Sequence, residues 1–338
     1  MTDVGVVIPF RNGWDVLEPC LRSIPPGIET IAVDDGCTDD TPVRVAQLFP
    51  AVQVLRNEQN LGFAASANRG LAACTRPVRV VLNSDARLGP GALDALASAF
   101  EDSGIGIAGP RLHFPDGTHQ VSAARFPSPG RLFAGSFFLT EVFSWLFPRR
   151  RFPFELGLPR IQHDTDRDVD WVEGACIAIR DDCFAALGGF DEAYHYYSET
   201  DLCWRAHLVG WRVRYVSGAI VMHVGGASSG RDTAAQARQL LRNEARFFHT
   251  AYGQGAMRRW YVTRAAGSLV KVLVLALPAL VDRRVRIRWR WQASALAEMV
   301  RNLHTGEWRG QLPTGSNNMD RADQRQQPMN FTPEEGGG

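Results

Sequence analysis

The sequence predicts an α/β chain in which a sheet carries helices on both faces and a helical region follows it. Three observations carry this. Short β-branched runs alternate with amphipathic stretches through the first half, the pattern of a parallel sheet covered on both sides. Polar residues gather where those runs end, at the edge where such sheets bind ligands. From about Asp232 the composition turns helical and basic.

The elements follow in order. Residues 4–9 form an apolar run and predict a strand; 14–24 predict a helix, 30–35 a strand and 41–49 a helix. The alternation continues with strands over 52–57 and 78–83 and helices over 61–74 and 92–100. Residues 125–167 are rich in proline and aromatics and contain Arg149, Arg150 and Arg151 in a row, which reads as an irregular connector or lid. Order returns over 169–179, then a helix over 201–209 and a strand over 213–223. Three regions are expected: 1–230, a helical region over 231–310, and a polar, disordered tail over 311–338.

Bulk properties narrow the partners. The chain has 338 residues, 45% of them hydrophobic, enough for a large core and more than one minimal domain. Its net charge of +1 gives no reason to expect nucleic acid. Lys271 is the only lysine, and so uniform an arginine excess reads as coding composition. Six cysteines without a CxxC pair make zinc improbable and suit a reducing, cytoplasmic compartment. No secretory signal is expected, because no basic segment with a long apolar stretch opens the chain. Between Ala256 and Gln292 there are nine Arg or Lys residues and one acid, Asp282. The thirteen-residue stretch 269–281 is apolar except for Lys271, too short to span a bilayer. Such helices suit peripheral contact with an anionic membrane surface, on the inner face of the plasma membrane. They equally suit packing on the main domain or on a second subunit of a homodimer.

Five clusters bear on chemistry. In Asn83-Ser84-Asp85 a strand ends in an acidic turn; Asp85 either offers a carboxylate to Mg2+ or Mn2+ or caps the next helix. In Val33-Asp34-Asp35-Gly36, adjacent acids at a strand end offer acceptors to a nucleobase or ribose, while Asp39 and Thr41 read as helix caps. Asn68 lies in a small-residue helix that either approaches the nucleotide or is simply close-packed. Glu199 and Asp201 open a helix after an aromatic lead-in; helix starts favour acids, and a carboxylate there also suits a general base. His223 ends a strand, and it gains meaning if it shares a pocket with Asp85.

In order, these pieces resemble the family 2 glycosyltransferases, rhamnosyltransferase-like branch. The resemblance rests on VVIPFRN at 6–12, VDDGCTDDT at 33–41, NLGFAASANRG at 60–70, LNSDARLGPGAL at 82–93, VDWVEGACIAIR at 169–180, GGFDE at 188–192, ETDLCWRAHLVGW at 199–211 and HVGG at 223–226. It implies a GT-A fold, a Rossmann-like mixed sheet with helices on both faces plus a C-terminal helical appendage. It also implies inverting transfer of a sugar, rhamnose first, from a dTDP- or UDP-sugar to a saccharide or lipid-linked saccharide in cell-surface polysaccharide synthesis. By the same resemblance Pro9, Phe10, Arg11, Asp34, Asp35, Asn68, Asn83 and Ser84 bind the donor. Asp85 and His223 hold the metal, Trp171, Glu173, Gly174, Ala175 and Asp201 line the sugars, and Glu199 is the base. Two positions depart from the family pattern: Asn83 begins the metal motif in place of Asp, and Ser198-Glu199 stands for Glu-Asp. The rival readings are a nucleotidyltransferase and an inactive nucleotide-sugar-binding protein.

Overall fold

The computed structural model describes residues 3–137, 139, 163–225 and 233–305. Strand β1 (Val4–Phe10) is apolar and buried at every position, so it takes partners on both edges. These are β2 (Glu29–Asp35) and β4 (Val78–Leu82), both parallel to it, with β3 (Gln53–Asn57) parallel beyond β2. Alternate residues of β1 enter two separate cores. Val4, Val6 and Ile8 meet Leu17 and Cys20 of α1 (Trp14–Arg22), while Val7 meets Ala64, Ala67 and Leu71 of α3 (Phe63–Ala73). The period of two in the strand thus clothes both faces. Gly70 sets how close α3 lies, since a Cβ there would strike Val7 and Val33. Helix α2 (Thr41–Leu48) buries Val45 in the first of these cores.

Beyond β4 the sheet changes direction. Its main path runs β3-β2-β1-β4-β11-β6-β12-β5, with β7 (His119–Gln120) on β6 and β9 (Arg167–Val169) on β12 off that path. Strand β11 (Cys176–Arg180) runs antiparallel between β4 and β6 (Ile105–His113). Strand β12 (Arg212–His223) is parallel to β6, and its end pairs antiparallel with β5 (Ala86–Leu88). Helix α4 (Ala92–Ser98) follows β5. The sheet is therefore mixed, with a parallel block on one side.

The region expected to be irregular is partly ordered. It contains α5 (Pro129–Ser136), whose Ser128 cap accepts a hydrogen bond from Arg131 N–H at 3.3 Å. Arg149, Arg150 and Arg151 lie outside the described residues, as does the tail. The expected single run over 169–179 is broken into β9 (Arg167–Val169), β10 (Trp171–Val172) and β11. β7 (His119–Gln120) pairs with β6, and β8 (Ala123–Ala124) with β10. Helices α6 (Asp181–Leu187) and α7 (Ser198–Leu208) precede β12.

The C-terminal helices α8 (Thr233–Tyr252), α9 (Gln254–Ala276), α10 (Pro278–Val281) and α11 (Arg283–Thr305) do not form a separate core. Phe247, Phe248, Trp260, Tyr261 and Met299 belong to the same cluster as Val7 and Val33. Phe247 lies 5.8 Å from Trp204 of α7 and 6.3 Å from Phe126, ring centre to ring centre. Of the placements the sequence left open, packing on the main domain is realised by one face of these helices. No helix among the described residues is long and apolar enough to cross a membrane.

Candidate active site

The ends of β1 and β2 are locked side by side. Asn12 has φ 57°, a left-handed conformation that Asn tolerates better than most residues. From there its backbone N–H donates to Cys37 Sγ at 2.9 Å and its amide exchanges hydrogen bonds with Thr38. Pro9 and Phe10 are buried, Phe10 within the core, while Arg11 is exposed at the edge. Asp34 Oδ1 accepts from Cys37 N–H at 2.7 Å; its Oδ2 accepts no hydrogen bond and lies 3.5 Å from Arg56 Nε. Asp35 is fully engaged. It accepts from Asn57 Nδ2, Leu61 N–H and Gly62 N–H at 2.7 to 3.0 Å, so it holds the turn into α3. The resemblance made Asp35 a donor contact; the structure gives its oxygens to the chain itself.

Asn83 and Ser84 are half-buried in a turn closed by Ala86 N–H donating to Asn83 O at 3.0 Å. Asp85 is buried, and the pairing of His223 opposite Ala86 brings His223 Nε2 to 3.3 Å from Asp85 Oδ1. Oxygen and nitrogen bound side by side to one octahedral Mg2+ or Mn2+ at about 2.1 Å stand about 3 Å apart, so this pair fits such an ion. No group of three or more His, Cys, Asp or Glu is arranged for a metal among the described residues. The other positions would then fall to phosphate and water, which is usual for these cations. The far nitrogen of His223, Nδ1, meets the Gln120 side-chain amide at 3.0 Å, and such partners fix the orientation of a ligating imidazole. Sequence reasoning missed Gln120, because only the pairing of β7 with β6 brings it there.

The facing wall is the loop between β10 and β11. Glu173 N–H donates to Ser122 O at 2.9 Å, and Ala175 O accepts from Asn83 N–H at 2.9 Å. Between them Gly174 packs beside the Glu199 side chain; a Cβ on Gly174 would lie 3.4 Å from Glu199 Oε2. The turn bearing Asp85 and the carboxylate of Glu199 therefore adjoin the same three-residue wall, 173–175. Tyr197, with φ 70°, caps α7 in a left-handed conformation and leads directly into Ser198-Glu199. That conformation costs on the order of 1 kcal/mol and is held by ring packing, Tyr197 to Phe247, at 6.0 Å.

Two carboxyls share this wall. Burial raises the proton affinity of Glu173, and the charge of Glu199 adds to it, pushing its pKa up to about 8. Burial also raises Glu199, opposed by donation from its own backbone N–H and from Ser198 Oγ at 3.1 Å. Glu199 also lies in the first turn of α7, where the helix dipole favours negative charge. Of the two, Glu199 has the donors. Those donors favour the charge on Glu199, while desolvation favours the proton on Glu173.

With this geometry in view the relatives can be compared. Residues 5–157 match the model of "Glycosyl transferase family 2". An N-acetylglucosaminyl-diphospho-decaprenol L-rhamnosyltransferase of Mycobacterium tuberculosis is 33% identical over 253 residues, 70% of this chain and 80% of the relative. The chain is a family 2 glycosyltransferase. A pre-mycofactocin glycosyltransferase of Mycobacterium tuberculosis is 27% identical over 93% of the chain and 64% of its own length. The fold matches a mannosyltransferase from Pyrobaculum calidifontis, solved with GDP-Man and Mn2+. The TM-score is 0.53 and the identity 18%, covering 89% of this chain and 87% of the other. The glycosyltransferase has the GT-A fold, and family membership sets aside the nucleotidyltransferase reading.

Two expected site residues of the transferase are engaged with the chain itself. Asp201 is 1% exposed and accepts from Arg205 Nε at 2.7 Å, while the same guanidinium donates to Leu187 O and Gly189 O. Through Arg205 it braces a turn. Asn68 is used in the same way. Its amide accepts from Phe190 N–H at 2.8 Å and donates to Phe190 O at 2.9 Å. Gly189, at φ +84°, lets that turn close on Asn68, where a Cβ would strike the amide. Trp171 remains at the wall, half-buried, its indole N–H donating to Arg125 O at 3.1 Å.

Proposed function

We propose that the transferase moves a sugar, rhamnose first, from a dTDP- or UDP-sugar to a hydroxyl of a saccharide or lipid-linked saccharide, with inversion, in cell-surface polysaccharide synthesis. The observation that carries this is the shared wall: Glu199 and the Asn83–Asp85 turn both adjoin 173–175. The rhamnosyltransferase relative supports the sugar and the lipid-linked class of acceptor. The Mn2+ and GDP-Man of the structural neighbour support a divalent cation with a nucleotide sugar.

On the donor side, Asp34 Oδ2 is the acceptor left for the nucleoside, and Arg56, whose side chain is 73% exposed, is able to swing aside. Arg11 follows directly at the edge, and Asn83 and Ser84 border the phosphates. Asp85 and His223 would hold Mg2+ or Mn2+, which supplies charge neutralisation at the diphosphate leaving group. Glu199 takes the proton of the acceptor hydroxyl as that oxygen bonds to the anomeric carbon. The bond from that carbon to the diphosphate breaks on the opposite face, and nucleoside diphosphate leaves. Glu173, keeping its proton, leaves Glu199 the only anion of the pair. Trp171 offers the sugar an apolar face.

The test is product analysis with a panel of nucleotide sugars and acceptors, with Mn2+ and with chelator. Release of nucleoside diphosphate, an inverted anomeric centre by NMR and loss of turnover on chelation are expected. Retention of configuration, or donor binding with no release from any pair, would overturn the reading; the latter would mark an inactive nucleotide-sugar-binding protein.

A further inference from the structure

Helix α9 has two unlike faces. One buries Met257, Trp260, Tyr261, Gly267 and Ser268 against the domain. The other exposes Val262, Leu269 and Leu273 at 53%, 47% and 67%, a stripe at helical spacing that runs on into Leu277, just past the helix end, at 77%. The ridge continues into α10 and α11 with Leu280, Val281 and Ile287 at 71%, 90% and 62%. Exposed arginines flank it: Arg258 and Arg259 at one end, Arg283, Arg286 and Arg290 at the other. Asp282 is the single acid over 256–292. A contiguous apolar patch of this kind is uncommon on a monomer's surface, and Leu or Val ringed by cations is the composition of interfacial helices.

We infer that this ridge, from Val262 through Ile287, seats the protein on an anionic lipid surface, with the aliphatic side chains entering the acyl boundary and the arginines meeting lipid phosphates. The charge decides for lipid over a second copy of this chain. A self-complementary contact would set arginine against arginine, whereas lipid phosphates complement every one of them. The helices lie on the surface and do not cross it, for none is long and apolar enough. The inference rests on exposure and charge and is independent of the transfer reaction.

The test is flotation of the full chain with vesicles of phosphatidylcholine alone or with about 30% phosphatidylglycerol. Partition is expected to rise at least about ten-fold with the anionic lipid and to fall with salt. Leu273→Glu with Leu277→Glu should lower it at least about ten-fold. Arg283→Glu with Arg290→Glu should lower it by about five-fold or more per arginine. Each position is exposed, and circular dichroism checks that both variants fold. Equal partition into the two vesicles, or partition unchanged by both variants, would overturn the inference. So would a solution dimer that Leu277→Glu dissociates while native protein ignores vesicles. Sugar transfer to a soluble acceptor, followed by the nucleoside diphosphate released, is measured on the same samples, so loss of membrane contact and loss of chemistry are read separately.

Discussion

Asp34 and Asp35 at the end of β2 and Glu173 and Glu199 at the wall are both close pairs of acids near one sheet edge, and their surroundings differ. Asp35 alone receives three hydrogen bonds from Asn57, Leu61 and Gly62, and Asp34 receives one from Cys37. Glu173 and Glu199 are half-buried, and among the described residues Ser198 is the side chain that donates to either. Three donors hold Asp35 as scaffold, whereas desolvation dominates at the wall and raises the proton affinity of both glutamates. The same chemical group thus braces a turn at Asp35 and has its proton affinity raised at the wall.

The contrast can be broken from either side. The largest effect is expected from Glu199→Gln, which should fold and bind nucleotide yet lose about 10²- to 10⁴-fold in kcat; turnover near the native rate would remove Glu199 as the base. Next, Asp35→Ala strips the acceptor from three donors and should cost about 3 kcal/mol, read from the urea midpoint. A variant as stable as the native chain would mean that the turn into α3 holds itself. Gln120→Ala should weaken Mn2+ binding about ten-fold by calorimetry, because His223 loses its orienting partner; unchanged affinity would separate Gln120 from the site.

The smallest effect concerns Glu173. Its ordinary value is 4.5 and its folded value about 8. Between these the folded chain keeps a proton that the unfolded chain has lost, so stability declines as pH rises across that window. Glu173→Gln removes this slope, and its Tm should gain on the native protein with rising pH, by about 2–4 °C near pH 8. A constant difference in Tm across that range would contradict the shared-proton arrangement. The same variant should remove any fall in kcat as pH passes 8.

The first half of the fold was legible because each strand there is a plain apolar run between helices. β6 was not, since Gly106, Gly109 and Pro110 read as breakers. In the structure Gly109 makes room for Val172 and Gly106 for Trp211, reasons that exist only after the chain has folded. Helix α6 was also passed over, although Asp181 and Asp182 in its first turn and Gly188 at its end are ordinary boundary signals. At the site, Asp85, His223 and Glu199 stood out as residue types at element ends. The approach of His223 to Asp85 depends on the register of β12 with β5, and that of Glu199 to the wall on the Gly174 turn, which spacing does not encode. The bracing contacts of Asn68 and Asp201 were hidden for a related reason: a polar side chain bracing a turn and one binding a ligand look alike in a sequence until the partners are known.

The reversed direction of β11 has a consequence for what gathers at one rim. The exit from β6 and the entry to β11 fall at the same edge of the sheet as the ends of β1 and β4. A substitution in the turn just before β11 is therefore felt beside Asn83, whose N–H is held by Ala175 O, while the parallel pairing of β1 to β4 is left as it is.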